Sequence, residues 1–250
     1  MEPASLRSHL IAEADRLKTA VAGAGPDARV PTCPGWTVAD LLEHVTEVYD
    51  HKLQCIRLLR EPDDSERLKR TGSPTERFEA ALAELLTEFD ERGPESLAYT
   101  WYGPDQTVGF WIRRLACETV VHRADAELAA GGRIGPVDDE LGADAVDETL
   151  AIKLAWGSRV GRERLAGPLA RHGGLRVGID AHGRTWTVHV ATGRIDIEDS
   201  LAAGAQATVS GTPGEILMWL WRRSPVGAVA GRGDRDKAAE LYDLAGHFTR

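Results

Sequence analysis

No run of apolar residues in this chain approaches the roughly 20 that a membrane-spanning helix needs, so no membrane partner is expected. Its first residues, Met-Glu-Pro-Ala-Ser-Leu-Arg, have neither the basic start nor the apolar stretch of a secretory signal. Cysteine is scarce. Cys33, Cys55 and Cys117 are an odd number at wide spacing with no CxxC pair, a usage that fits a reducing cytoplasm and no disulfide framework. Only five of the 30 basic residues are lysine, no Lys/Arg run exceeds a pair, and the formal net charge is −9. A nucleic-acid partner is therefore not expected, because phosphate neutralisation needs a basic face. Internal repeats and low-complexity tracts are also missing, and a 42% hydrophobic, 28% charged composition is that of a folded globular chain.

What is present changes period along its length. In the first part Leu6, Leu10, Ala14, Leu17 and Val21 recur at three- and four-residue spacing, one buried helical stripe ended by Gly23, Gly25 and Pro26. Thr37 caps a second helix running to about Arg60. Ser73-Pro74-Thr75-Glu76 is a capping box with proline at the first helical position, opening a third helix with the stripe Phe78, Leu82, Leu85 and Phe89. A fourth is expected from about Thr107 to Ala130, and a further one near Asp138–Trp156. Four amphipathic helices joined by modest loops predict a four-helix bundle. After Gly173-Gly174 the period becomes two. Leu175–Ile179 and Thr185–Val190 flank Ala181-His182-Gly183-Arg184 as a hairpin, with another strand at Ala207–Val209. Thr212-Pro213-Gly214-Glu215 opens a helix through Leu220, and a last helix covers about Asp234–Gly246. The expected fold class is thus α plus α+β, with a helical bundle over residues 1–160 and a small α+β domain over 161–250.

Polar residues interrupt two of the helical stripes. On the fourth helix Val108, Trp111, Leu115, Glu118, His122 and Asp125 share one side at alternating three- and four-residue spacing, and the stripe turns polar halfway along. On the second, Leu41, His44, Val48, His51 and Cys55 do the same with imidazole in core positions. Burying even a neutral polar group in an apolar medium without a partner costs roughly 2–7 kcal/mol, so something must offset it. Glu118 and His122, one turn apart, can converge on a single point, as the two histidines of HExxH do. His44 from the facing helix completes a set of two histidines and one glutamate, the donor type of catalytic zinc sites, with a fourth position left open. Two plainer readings compete: Glu-x-x-x-His on a solvated face, and a core histidine bonded to a carbonyl. His51 is a reserve ligand or a solvated residue. Asp125 either orients a ligand or pairs at the surface with Arg123 or Arg113. Cys55 and Cys117 read as small core residues and Cys33 as a loop residue.

Pro31-Thr32-Cys33-Pro34-Gly35-Trp36-Thr37-Val38-Ala39-Asp40-Leu41-Leu42-Glu43-His44, followed by Glu118-Thr119-Val120-Val121-His122-Arg123-Ala124-Asp125, resembles the mycothiol-dependent maleylpyruvate isomerase family, part of the wider DinB-like group. The resemblance covers the whole chain. It implies a DinB-like bundle followed by a sterol-carrier-like domain, to which Thr208–Pro213 leading into Glu215–Arg222 is similar. It also implies His44, Glu118 and His122 as ligands of Zn2+ or another divalent ion, Asp125 as the acidic residue behind them, and mycothiol as thiol cofactor. A catalytic arginine is implied in the C-terminal domain. Arg222, Arg223 and Arg232 compete for it, with Arg222 preferred.

A cation lowers a thiol's pKa, so a small thiol at the open position would act as thiolate on an electrophilic small molecule. Expulsion of the thiol after rotation gives cis–trans isomerisation of a maleylpyruvate-like substrate; retention of the adduct gives S-transfer. Two readings from other classes stand beside this one. The metal could activate water in a thiol-free hydrolase, or the C-terminal domain could enclose an apolar ligand among Trp186, Trp219 and Trp221 without catalysis.

Overall fold

The computed structural model describes residues 1–249, which form two compact units, Met1–Gly135 and the residues from Pro136 on. The first unit is the expected bundle of four: α1 (Pro3–Ala24), α2 (Val38–Leu58), α3 (Pro74–Arg92) and α4 (Val108–Ala129). Hydroxyl caps set three of the starts. Thr37 and Ser73 close reciprocal capping boxes with Asp40 and Glu76, and the Thr107 side chain accepts from the Phe110 amide. Helix α1 lays Leu6, Leu10, Ala14 and Leu17 against α4, while α2 packs on both α3 and α4. Tyr49 and Thr119 pin α2 to α4. Thr119 spends its one proton on the Leu115 carbonyl at 2.7 Å, so the Tyr49 hydroxyl is the donor in the 2.6 Å contact between them.

Arg123 sets the rotation of α4 about its axis. Its side chain is fully buried; Nε donates to Glu13 Oε2 at 2.7 Å, and Nη1 donates to Glu127 Oε2 at 2.6 Å and to the Gly135 carbonyl at 3.0 Å. Arg16 adds a bond from Nη1 to Glu13 Oε1 at 2.9 Å. Arg123 thus faces α1 while its neighbour His122 faces another side of α4.

The second unit contains α5 (Asp139–Glu148), a π-helical segment (Thr149–Trp156), α6 (Gly157–Val160) and α7 (Arg162–Arg171). After these come the strands β1 (Arg176–Ala181), β2 (Arg184–Ala191), β3 (Arg194–Glu198) and β4 (Ala207–Gly211), then α8 (Pro213–Leu220), β5 (Ala230–Gly233) and α9 (Arg235–Ala245). The sheet order is β3-β2-β1-β4-β5, with β1 and β4 parallel and every other pair antiparallel. Register aligns Val188, Val177 and Ala207 in one buried row and Trp186, Ile179 and Val209 in another. The β1–β2 turn is His182-Gly183 with φ of 50° and 91°, the two positive values that a type I′ hairpin needs.

The division between units falls at Gly135–Pro136 and not near residue 160. The expected single helix at 138–156 breaks into α-helix and π-helix, and both pieces serve the second core: α5 packs on α8, and the π segment on β3. At the α5–α8 contact a Cβ on Gly142 would stand 2.9 Å from Pro213 Cβ, so only glycine fits there. Helical periodicity shows that a face is buried without showing in which core. Helix α7, with Pro168 inside it, and the short strands β3 and β5 also carry too little pattern to be expected from sequence.

Arg123→Ala leaves Glu13 and Glu127 with a lost counter-charge in a buried setting. It is expected to lower unfolding free energy by about 3–5 kcal/mol. Urea denaturation followed by circular dichroism checks this through the midpoint, with the slope unchanged.

Candidate metal centre

The approach to α2 explains the Pro-Thr-Cys-Pro-Gly-Trp stretch. The Cys33 amide donates to the Val30 carbonyl at 3.2 Å and the Trp36 amide to the Cys33 carbonyl at 3.0 Å, two consecutive turns. In the second turn Pro34 holds position i+1, and Gly35, with φ of 88°, holds i+2, as a type II turn requires. A bridge between Arg29 and Thr37 then leads into α2. The folded loop presents Thr32 and Cys33 to Asp125 and rests the Trp36 ring on His44, centroids 4.9 Å apart.

Two turns of α4 and one position of α2 supply the polar cluster. His44, Glu118 and His122 each offer one donor atom, and these atoms all lie within 4.8 Å of one another. Glu118 Oε1 is 3.2 Å from His122 Nε2 and 4.0 Å from His44 Nε2, and the two imidazoles meet edge to face with centroids 5.2 Å apart. Three donors arranged tetrahedrally at 2.0–2.2 Å around an ion stand roughly 3.3–3.6 Å from one another. The observed separations need only small side-chain adjustments to reach that figure.

Hydrogen bonding behind the cluster decides which atoms face inward. Asp125 is fully buried, with Oδ2 3.0 Å from His122 Nδ1 and Oδ1 accepting from Thr32 Oγ1 at 2.5 Å. An ionised carboxylate only accepts, so Nδ1 carries the proton and the His122 lone pair sits on Nε2, facing Glu118. A neutral His122 would therefore set a lone pair against a carboxylate oxygen at 3.2 Å. A proton or a cation between them removes that repulsion. The surface ion pair with Arg113 or Arg123, one of the two readings open for Asp125, is overturned by this burial, and Arg123 is engaged on the α1 side.

Sequence reasoning missed Arg114. One turn before Glu118 and almost wholly buried, it forms a close ion pair with Glu118 Oε2, leaving Oε1 as the oxygen that faces the imidazoles. The i, i+4 spacing of Arg114 and Glu118 was a visible signal, hidden by reading α4 for its ligands alone. Thr32 and Trp36 lay inside the noted motif, but their contacts depend on how the loop folds. Arg222 belongs to the second unit. There it ends α8 with φ of 58°, its guanidinium 4.8 Å from the Tyr242 ring and 3.7 Å from Asp243 Oδ1. Trp186, Trp219 and Trp221 are buried, and their indole N–H groups donate to Asp147, the Val226 carbonyl and Thr149. They are core residues with satisfied polar atoms.

From His44 a cleft of about 320 Å³ runs along α2, lined among others by Glu47, Val48, His51, Lys52 and Arg67. His51 lines this cleft, 3.8 Å from Glu61 Oε1. No helix among the described residues is long and apolar enough to cross a membrane.

A bundle carrying a cluster of two histidines and a carboxylate at its centre, followed by a mixed α+β unit, defines a class of two-part proteins with a metal-competent helical half. Comparison with known families narrows the class. Residues 7–127 match the mycothiol maleylpyruvate isomerase N-terminal domain and residues 140–240 the C-terminal domain of the same family, so the chain belongs to the mycothiol maleylpyruvate isomerase family of mycothiol-related enzymes. No curated protein matches the chain. A solved structure described as a UbiJ-SCP2 ubiquinone synthesis protein is similar over 36% of this chain and 93% of its own, at 16% identity and a TM-score of 0.27.

Burial first, and then the charge of His122, push the His44 imidazole down to about 4 from its ordinary value of 6.5. Such a group is protonated first in the unfolded chain. Stability of chelator-treated protein is therefore expected to fall as pH drops from about 6.5 towards 4. In His44→Gln the slope over that window flattens; denaturant titrations at half-unit pH steps make the comparison.

Proposed function

We propose that this chain is a divalent-metal enzyme that uses mycothiol as nucleophile on an electrophilic small molecule, with His44, Glu118 and His122 as the metal ligands. The observation that carries this reading is the convergence of those three donors within 4.8 Å, with Asp125 behind His122. Charge supports it too. Glu118 and Asp125 carry two negative charges, Arg114 one positive, and His44 is neutral at pH 7. With both imidazoles neutral the cluster is left with one net negative charge, which a divalent cation and one thiolate together would bring to zero. Zinc suits the donor set, and three protein ligands keep a position open.

The bound ion would supply positive charge that brings a thiol's pKa, about 8.5 when free, into the neutral range. The protein's own part is to hold the donors. Asp125 keeps the proton on His122 Nδ1, Thr32 holds Asp125, and Arg114 confines Glu118 to one inward oxygen. Trp36 shields one face of His44. A thiolate adding to an activated double bond turns it into a single bond; rotation and expulsion of the thiolate give the cis–trans isomer of a maleylpyruvate-like substrate. If the adduct takes up a proton and leaves, the reaction is an S-transfer. Asp125 acts as a positioning residue here, and Arg222 is our preferred candidate for the arginine that grips a substrate carboxylate.

Freshly purified protein is expected to hold about one equivalent of zinc or another divalent ion by elemental analysis, lost in His44→Ala and Glu118→Ala. Protein that retains no metal after dialysis against zinc would sink the proposal. Asp125→Asn should keep the ion but bind it about 10- to 100-fold more weakly, measured by competition with a chromophoric chelator. Mycothiol is expected to give binding heat only with metal-loaded protein. Binding of metal with no response to millimolar mycothiol would favour the thiol-free hydrolase instead.

A further inference from the structure

Residues 59–73 join α2 to α3 and double back along α2. Apart from one 3-10 turn at Asp64–Glu66 this segment has no regular structure, and none of its residues is buried. It forms the far wall of the cleft: the lining residues that are not on α2, Arg67 and Leu68, both belong to it. Leu68, Lys69 and Arg70 also wall a neighbouring cavity of about 250 Å³, which shares Glu47 and Asp50 with the cleft. The cleft is therefore as wide as this segment leaves it.

Polar bonds hold the wall in place. Arg70 Nε donates to both Asp50 oxygens at 2.9 Å, Nη2 donates to Asp50 Oδ1 at 2.6 Å, and Nη1 donates to Glu84 Oε1 at 2.9 Å. One guanidinium thus ties the segment to α2 and α3 together, and its pair with Asp50 is about nine-tenths buried. Gln54 Nε2 donates to the Glu66 carbonyl at 2.5 Å, and the Tyr99 hydroxyl donates to Glu61 Oε2 at 3.3 Å. Releasing such a segment exposes little apolar area, so it opens far more readily than the bundle unfolds.

Both ends carry positive φ. Leu59, which ends α2, has φ of 55°, and Gly72, just before the Ser73 cap, has φ of 104°. A left-handed leucine gains by returning to ordinary backbone angles, and glycine accepts either sign of φ. Rotation at the ends of elements is how hinged segments move.

We infer that residues 59–72 are a hinged gate over the cleft, latched by Arg70 on Asp50 and Glu84, whose release widens the way to His44. The inference rests on the functional reading only in taking this cleft as the approach to the metal ligands.

Two probes on full-length, chelator-treated protein test the gate. Trypsin reports opening by cleavage after Arg67 and Lys69. Diethylpyrocarbonate reports access to the cleft through carbethoxylation of His51, read by mass spectrometry against His182, which is 58% exposed in its side chain. Asp50→Asn and Arg70→Met should speed the cleavage about 10- to 100-fold, the range for hydrogen bonds between charged groups. Labelling of His51 should rise at least about threefold, a smaller factor because its side chain is already 35% exposed. Arg67→Met, which removes an exposed pair, should leave the labelling within about twofold. In wild type the cleavage rate should depend on urea far less steeply than global unfolding does, since little surface is exposed on opening. A dependence as steep as global unfolding overturns the gate whether or not the variants fold. So does unchanged cleavage in Asp50→Asn at a wild-type urea midpoint, or faster cleavage with unchanged labelling of His51. Because both probes work without metal, failure to bind zinc defeats the functional reading and leaves these outcomes to decide on the gate.

Discussion

His122 lies between two carboxylates, and the rest of the centre follows from that constraint. Its Nδ1 meets Asp125 and its Nε2 meets Glu118, at 3.0 and 3.2 Å. An imidazole has one proton to give when neutral, so one of the two contacts must be served by something else. Asp125 is the more buried of the two carboxylates and is already tied to Thr32, so it takes the proton. The inward nitrogen then needs positive charge between itself and Glu118. A chain evolved only for bundle stability would place leucine at these positions, since buried polar groups stabilise little even when matched.

Much of the first unit can be understood as holding that arrangement still. Arg123 anchors α4 to α1 from the opposite side, so His122 cannot rotate away without breaking a buried ion network. Tyr49 and Thr119 hold α2 beside α4 within a turn or two of His44 and Glu118. The loop before α2 works from a third direction, using proline and a positive-φ glycine to make a turn tight enough to bring Thr32 onto Asp125 and Trp36 onto His44. Donor atoms supported in this way lose little conformational entropy on binding an ion, and such preorganisation favours catalytic over opportunistic sites.

Family membership and geometry answer different questions. Matches over residues 7–127 and 140–240 establish the lineage and its connection to mycothiol. They leave the chemistry to be argued from charge. Arg114 limits Glu118 to one inward oxygen and lowers the negative charge of the cluster. The cleft along α2 begins at His44 and runs past Val48 and His51 on the same helix.

Local sequence by itself determined the elements whose signals are short-range. The capping boxes at Ser73 and Thr212, the hydroxyl caps at Thr37 and Thr107, the His182-Gly183 turn and the shared face of Glu118 and His122 all depend on residues within four positions of one another. That is the range over which backbone geometry alone fixes neighbours. Tertiary structure decided the rest. Which core the helices after Pro136 serve, that Asp125 is buried against Thr32 and not paired at the surface, that Arg114 takes half of Glu118, and that His44 comes within 4.0 Å of a carboxylate on another helix are all matters of long-range packing. Periodicity shows which face of a helix is buried, but the partner across the interface is chosen by how whole helices dock.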